Sequence, residues 1–198
     1  MFLDSLTGRR LGGALLVLGG IVVAIVVLWP GGGGGHPSKV ATTAKIDPVR
    51  IVSVPQLGLA FAHPRTWQRT VAGRVIRLRS PGGASVLTFS SPTGGHHTQR
   101  AKAETEQALR KEFDPATIVH DGPGKLGGRD ASTFELSGFS PDNDAVRALV
   151  IVASTLYRTY VVSLLTPGRP SAKQLAEVQQ ILATVRLTKP VSPASTSG

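Results

Sequence analysis

The side chains with the clearest chemical potential are arginines. Between Pro48 and Ala103 the chain carries eight basic residues and no acid. Five of these, Arg65, Arg69, Arg74, Arg77 and Arg79, fall in one short stretch. Residues two apart on a strand share a face, so Arg77 and Arg79 are expected to project together. Guanidinium groups hold their charge and offer donors in a fixed fork, which suits oxyanions. The functional reading is therefore an anion-binding surface for anionic lipid headgroups, an anionic wall polymer or an acidic partner. The bland alternative is a solvated face in a chain that favours Arg over Lys. Nucleic acid is the usual inference from a net charge of +10, but no stacking aromatics accompany the arginines. Trp67 stands in a P-x-x-W setting (Pro64 to Trp67), where it either plugs the core at a strand end, the favoured reading, or serves as a ligand platform.

The remaining motifs reduce to structure. Gly122-Pro123-Gly124-Lys125-Leu126-Gly127 matches G-x-G-x-x-G, and Asp142 lies 20 residues beyond Gly122. A dinucleotide site needs a helix to start at those glycines, so that its free N–H groups meet the pyrophosphate. Here the following residues alternate like a strand and Pro123 lacks a donor, so a hairpin turn is expected. No Gly-Lys-Ser/Thr follows Gly31 to Gly35, which excludes a phosphate loop. Asp142-Asn143-Asp144 lacks the downstream glycine and glutamate of a calcium loop and reads as a polar turn. His96 and His97 are adjacent and point opposite ways on an extended chain, while His63 and His120 are isolated, so no metal is expected. Ser140 sits in no nucleophile elbow. Of the few carboxylates, only Asp130 and Glu135 flank rigid elements. The absence of cysteine removes thiolate metal sites, disulfides and a lipid-modified N-terminal Cys. No catalytic residue and no cofactor are expected.

The elements that must position these residues begin with an anchor. Residues 11–29 form an uninterrupted apolar run with no polar face, and as a helix it spans about 28 Å, close to the hydrocarbon core of a bilayer. Arg9 and Arg10 precede it, Trp29 closes it and Pro30 stops it. It reads as a retained signal-anchor, with residues 1–10 cytoplasmic and everything after the span outside; a cleaved leader is the alternative. Gly13, Gly20 and Ala24 share one face of the span, a spacing that would permit homodimerisation. Residues 30–48 form a flexible Gly/Pro linker with a root-mean-square reach of about 25 Å. An extracytoplasmic domain occupies 49–188, and 189–198 form a Pro/Ser-rich tail expected to be disordered.

Within 49–188, period-2 alternation marks strands at 57–62, 75–79, 86–89, 131–139, 146–154 and 157–166, the last two joined by a tight turn near Thr155 and Leu156. Two helices interrupt them. The first, 98–113, is charged with a thin apolar stripe and a Glu106–Arg110 pair. The second, 171–185, has Ser171 as its cap and an apolar face of Leu175, Val178, Ile181, Leu182 and Val185. The fold class is α+β: an antiparallel sheet flanked by two main helices and preceded by a transmembrane helix.

The order of these elements carries a resemblance. A short strand runs into His63-Pro64-Arg65-Thr66-Trp67. Leu126-Gly127-Gly128-Arg129-Asp130-Ala131 leads into another strand. A strand ending at residues 160–166 precedes a terminal helix that finishes at 181–187. Over about 57–187 this resembles the PsbP-like α/β/α sandwich superfamily, whose members include an extrinsic photosystem protein, a eukaryotic Ran-binding protein and bacterial envelope proteins tethered by lipid or helix. The resemblance implies helices on the faces of an antiparallel sheet and a binding or accessory role without a conserved reaction. Many bacterial relatives are lipoproteins; this chain lacks the Cys and has an apolar span in its place, and nothing in it supports the photosystem role. The expected function is thus a membrane-anchored, non-catalytic module of a bacterial envelope. Two alternatives stand beside it. One is an envelope enzyme, which a deep pocket of His63, Trp67, His120 and an acid would mark. The other is a regulatory subunit docking on another membrane protein.

Overall fold

The computed structural model describes residues 49–92, 97–168 and 170–191. The apolar run 11–29, the linker 30–48 and residues 192–198 lie outside the described residues. No described helix is long and apolar enough to cross a membrane.

The described elements are β1 (Val49–Val54), β2 (Leu59–Pro64), β3 (Gln68–Ala72), β4 (Val75–Arg79), β5 (Val86–Ser90), α1 (Thr98–Glu112), β6 (Thr117–Leu126), β7 (Arg129–Phe139), β8 (Ala145–Ser154), β9 (Thr159–Pro167), α2 (Ala172–Ala183) and β10 (Arg186–Leu187). Seven strands form one antiparallel sheet in the order β3-β4-β5-β9-β8-β7-β6, and β1-β2-β10 form a second, smaller one. The long apolar runs β8 and β9 sit at the centre of the large sheet, covered on both faces, which is why apolar residues fill both faces of these strands.

One face of the large sheet is covered by α1, which packs on β7, β8 and β9. The stripe that holds it is narrow: Ala101, Thr105 and Leu109 are its buried residues, four apart on one side. Its outer face is laced by Arg100–Glu104 at 2.7 Å and Glu106–Arg110 at 2.9 Å. The other face of the sheet meets the small sheet and α2. Phe61 of β2 stacks on Phe89 of β5 at 4.3 Å between ring centroids. The α2 helix starts at a capping box, with Ser171 Oγ accepting from the Gln174 amide at 3.2 Å and the Gln174 side chain accepting from the Ser171 amide at 2.8 Å. Val178, Ile181 and Leu182 are its buried residues.

Both helices and the central strands fall where alternation and periodicity place them. The strands β1, β3, β6 and β10 do not emerge from that pattern, and residues 186–187, read as the finish of the terminal helix, instead pair with β2. The glycine motif is also corrected in detail. Gly122 and Gly124 lie inside β6, and the turn comes later, at Gly127 and Gly128, with φ of 56° and 78°. A Cβ on Gly124 would run into Thr133 Cγ2 of β7, so a larger residue there would have to displace the Thr133 side chain. The chain stays held past Leu187: the Thr188 amide donates to Gly58 O and the Val191 amide to Pro55 O, each at 2.8 Å. The first residues assigned by composition to the tail are thus tied to the turn between β1 and β2.

Candidate functional site

The β3–β4 hairpin separates the arginines that the sequence groups together. Arg69 pairs with Leu78 across the hairpin, and Thr70 pairs with Arg77. Alternation therefore puts Arg69 on the face opposite Arg77 and Arg79. Arg74 lies in the turn between β3 and β4, at the other end of the hairpin from Arg79, which pairs with Gln68. Arg65 is exposed on the turn between β2 and β3. Arg77 and Arg79 share a face of β4 as expected, while the strand pleat sends Arg69 to the opposite face and Arg65 and Arg74 lie in turns, so the five do not form one surface.

Each position has its own electrostatics. Arg77 is half-buried, and burial, then the neighbouring Arg79, lowers its pKa from the usual arginine value. Its Nε is buried without a hydrogen-bond partner. Arg77 stands across from Thr88 on β5, and Thr88 across from Ser163 on β9. The Thr88, Ser163 and Thr105 hydroxyls are likewise buried and unpartnered, so the surface beneath α1 includes a polar seam. Arg69 acts with Arg50 of β1 on His63, whose ring is buried in the small sheet. Burial, chiefly, and those two charges hold the His63 pKa below its ordinary value, against a hydrogen bond between His63 Nδ1 and Pro64 O at 2.8 Å.

Trp67 is a core side chain. It is 2% exposed, and its Nε1 donates to Glu177 Oε2 of α2 at 2.9 Å. The ligand-platform alternative is corrected, because the ring faces are covered by the fold.

Arg74 acquires a partner that the sequence does not suggest. At the end of the sandwich where β3 turns into β4, a cleft of about 370 Å³ is lined by Gln56, Leu57, Gly73, Arg74, Arg158, Pro190 and Val191. Its walls are a 3-10 turn at Pro55–Leu57, the β3–β4 turn, the β8–β9 turn and the segment after β10. Hydrogen bonds fix each wall. Tyr160 Oη donates to Leu57 O at 2.7 Å. The Ser91 amide donates to Arg74 O at 3.3 Å. In the β8–β9 turn the Thr155 amide donates to Arg158 O at 2.8 Å, and Thr155 Oγ1 accepts from the amides of Tyr157 at 3.2 Å and Arg158 at 3.1 Å. Gly58 closes the rear: with φ at 63° and its Cβ direction 2.2 Å from Thr188 O, it lets the last segment lie directly on the first turn.

The cleft lining holds two guanidinium groups and no carboxylate. Lys189 adds a third cation close by, with its Nζ 5.7 Å from the centre of the Tyr157 ring. Such a lining can take up an oxyanion; it contains no nucleophile–base pair. His63 and His120 are not in it, and His120 lies on β6 at the far edge of the large sheet. Among the described residues no three His, Asp or Glu side chains converge as a metal site would need. The signal for Arg158 in the sequence was a turn, 155–158, carrying Leu and Tyr where polar residues are usual.

No protein-family model and no curated protein matches the sequence. Solved structures do. The Saccharomyces cerevisiae Ran-binding protein Mog1p aligns with a TM-score of 0.51 at 8% identity, over 71% of this chain and 96% of that one. A Bacteroides thetaiotaomicron crystal structure aligns with a TM-score of 0.51 at 15% identity, over 70% of this chain and 48% of that one, so this chain spans about half its length. Cyanobacterial PsbP (CyanoP) from Synechocystis aligns with a TM-score of 0.48 at 16% identity, over 77% and 98% of the two chains. The likeness is one of fold, and the domain has the α+β architecture of the Mog1/PsbP-like proteins, antiparallel sheet and flanking helices together.

Proposed function

We propose that this chain is a single-pass protein of a bacterial envelope, anchored by residues 11–29 and displaying its Mog1/PsbP-like domain outside as a non-catalytic binding module. The module takes an anionic group of its partner into the cleft between Arg74 and Arg158. One observation carries the reading: two arginines from distant parts of the chain line one cleft whose lining holds no acid. An oxyanion in such a cleft finds cationic hydrogen-bond donors and no competing carboxylate in the lining. Anchoring is supported by the apolar run and by Arg9 and Arg10 on its N-terminal side. A Ran-binding protein shares the fold, which is consistent with a docking role for this architecture.

Titration of the full chain in detergent with inorganic pyrophosphate tests the cleft. Amide resonances of residues 73, 74 and 158 should shift saturably, and Arg74→Gln with Arg158→Gln should weaken binding at least tenfold. Equal binding by the double variant would refute the site. For topology, the chain has no cysteine, so Ser53→Cys, at an exposed strand position, should react with a membrane-impermeant maleimide in intact spheroplasts. Labelling only after lysis would overturn the orientation.

A further inference from the structure

Immediately beside the cleft, the β8–β9 turn exposes its apolar side chains. Leu156 is 86% exposed and Tyr157 47% exposed, and Val191 at the cleft is 61% exposed. A turn between two strands ordinarily carries polar residues, whereas this one places Leu156 and Tyr157, with Val191 nearby, as exposed apolar side chains at one end of the domain. The turn is stiff. Its two strands are the central pair of the large sheet, hydrogen-bonded on both sides, and Thr155 Oγ1 holds the turn from within. Around it stand Arg74, Arg158 and Lys189, while residues 55–58, 72–75, 155–158 and 188–191 contain no acid.

We infer that this end of the domain is a membrane-contacting tip: Leu156 and Tyr157 enter the interfacial layer of an anionic bilayer while Arg74 and Arg158 take lipid phosphates behind them. The inference rests on the anion-binding reading of the cleft and names the source of the anion. A protruding apolar pair fits a soft phase, where a rigid protein partner would need a matching pocket. Tyrosine suits the headgroup level, with its ring in the apolar layer and its hydroxyl in water. Cations around the apolar tip supply attraction to anionic headgroups, which acts within about a Debye length of the surface, ~8 Å at physiological salt.

The tether permits this contact. The chain enters β1 at Val49, which pairs with Pro64, and runs toward the cleft end at Val54, which pairs with Leu59. To turn the tip to the bilayer, the linker must run back along β1, about 20 Å for six residues. Residues 30–48, extended, reach about 60 Å.

The test uses the cysteine-free chain with Leu156→Cys carrying an environment-sensitive dye. The full chain is reconstituted in vesicles of phosphatidylcholine alone or with three-tenths phosphatidylglycerol, and quenched by brominated lipid. Gln107→Cys, on the exposed side of α1, carries the same dye as control. With phosphatidylglycerol, dye at 156 should shift to the blue and be quenched at least threefold more than dye at 107. In phosphatidylcholine alone, or with Arg74→Gln and Arg158→Gln, the difference should vanish. Equal quenching at 156 and 107 in anionic vesicles overturns the inference, as does persistence of the difference in the arginine variant. If pyrophosphate binding survives in the parent while the dye at 156 stays in water, the tip reading fails and the cleft reading stands.

Discussion

Replacing Trp67 separates a structural indole from a surface one. A buried indole removes about 200 Å² of mostly apolar surface from water, which at about 25 cal/mol per Å² is about 5 kcal/mol. Alanine retains a small part of that, and the packed interior relaxes only partly around the cavity, so Trp67→Ala should cost about 4 kcal/mol. Trp67→Phe keeps most of the ring and loses the donor to Glu177. The Glu177 side chain is 23% exposed, so water can serve the freed carboxylate and the added cost is only about 1 kcal/mol. Urea unfolding followed by circular dichroism is the assay, since removing Trp67 removes the domain's only indole. With a slope of about 2 kcal/mol per M, the alanine variant should shift its midpoint by about 2 M and the phenylalanine variant by about 1 M or less. A midpoint for Trp67→Ala within about 0.3 M of the parent would refute the reasoning, because only an indole free at the surface is that cheap to remove.

Other outcomes follow from the same geometry. The folded state holds the His63 pKa below that of the unfolded chain, so below about pH 6.5 the unfolded state takes a proton the folded state refuses. Stability should fall by up to about 1.4 kcal/mol per pH unit until the folded pKa is reached. Melting curves from pH 7.5 to 5.5 for parent and His63→Gln check this, and parallel pH dependence in the two would count against it. Thr105→Val removes a buried, unpartnered hydroxyl at nearly constant shape, and should raise stability by about 1 kcal/mol; a fall of that size would show that the hydroxyl is satisfied. Gly58→Ala meets both a φ of 63° and Thr188 O, whereas Gly128→Ala meets a φ of 78° and open space. The first should cost at least about 1 kcal/mol more than the second, measured by urea midpoint, and equal costs would deny the close approach.

What was legible in the sequence follows from which residues carry periodic information. The β8 and β9 strands are long apolar runs, and α2 combines a capping residue with apolar spacing, so both signals survive without knowledge of neighbours. Every residue of β3 is exposed, so it has no alternation to read and is a strand only because β4 pairs with it. The β6 strand holds Gly122, Pro123 and Gly124, which signal a turn. Proline is tolerated there because β6 is the edge of the sheet, where an N–H is not required. The arginines show the same limit. That Arg77 and Arg79 share a face is a local property of the strand. That Arg74 and Arg158 line the same cleft depends on two turns reaching the same end of the sandwich, and local spacing does not encode it.

The pairing of β2 has a consequence for how the polypeptide is made. Its Leu59 and Ala60 meet Leu187 and Arg186, so β2 waits for a strand synthesised after every other described element of the domain. Until then the backbone groups on that side of β2 have no strand to bond, and an open edge of this kind can be taken by another chain. Completion of the small sheet is therefore a late event in the folding of the domain, sensitive to loss of Arg186 and Leu187 and to crowding by sister chains during synthesis.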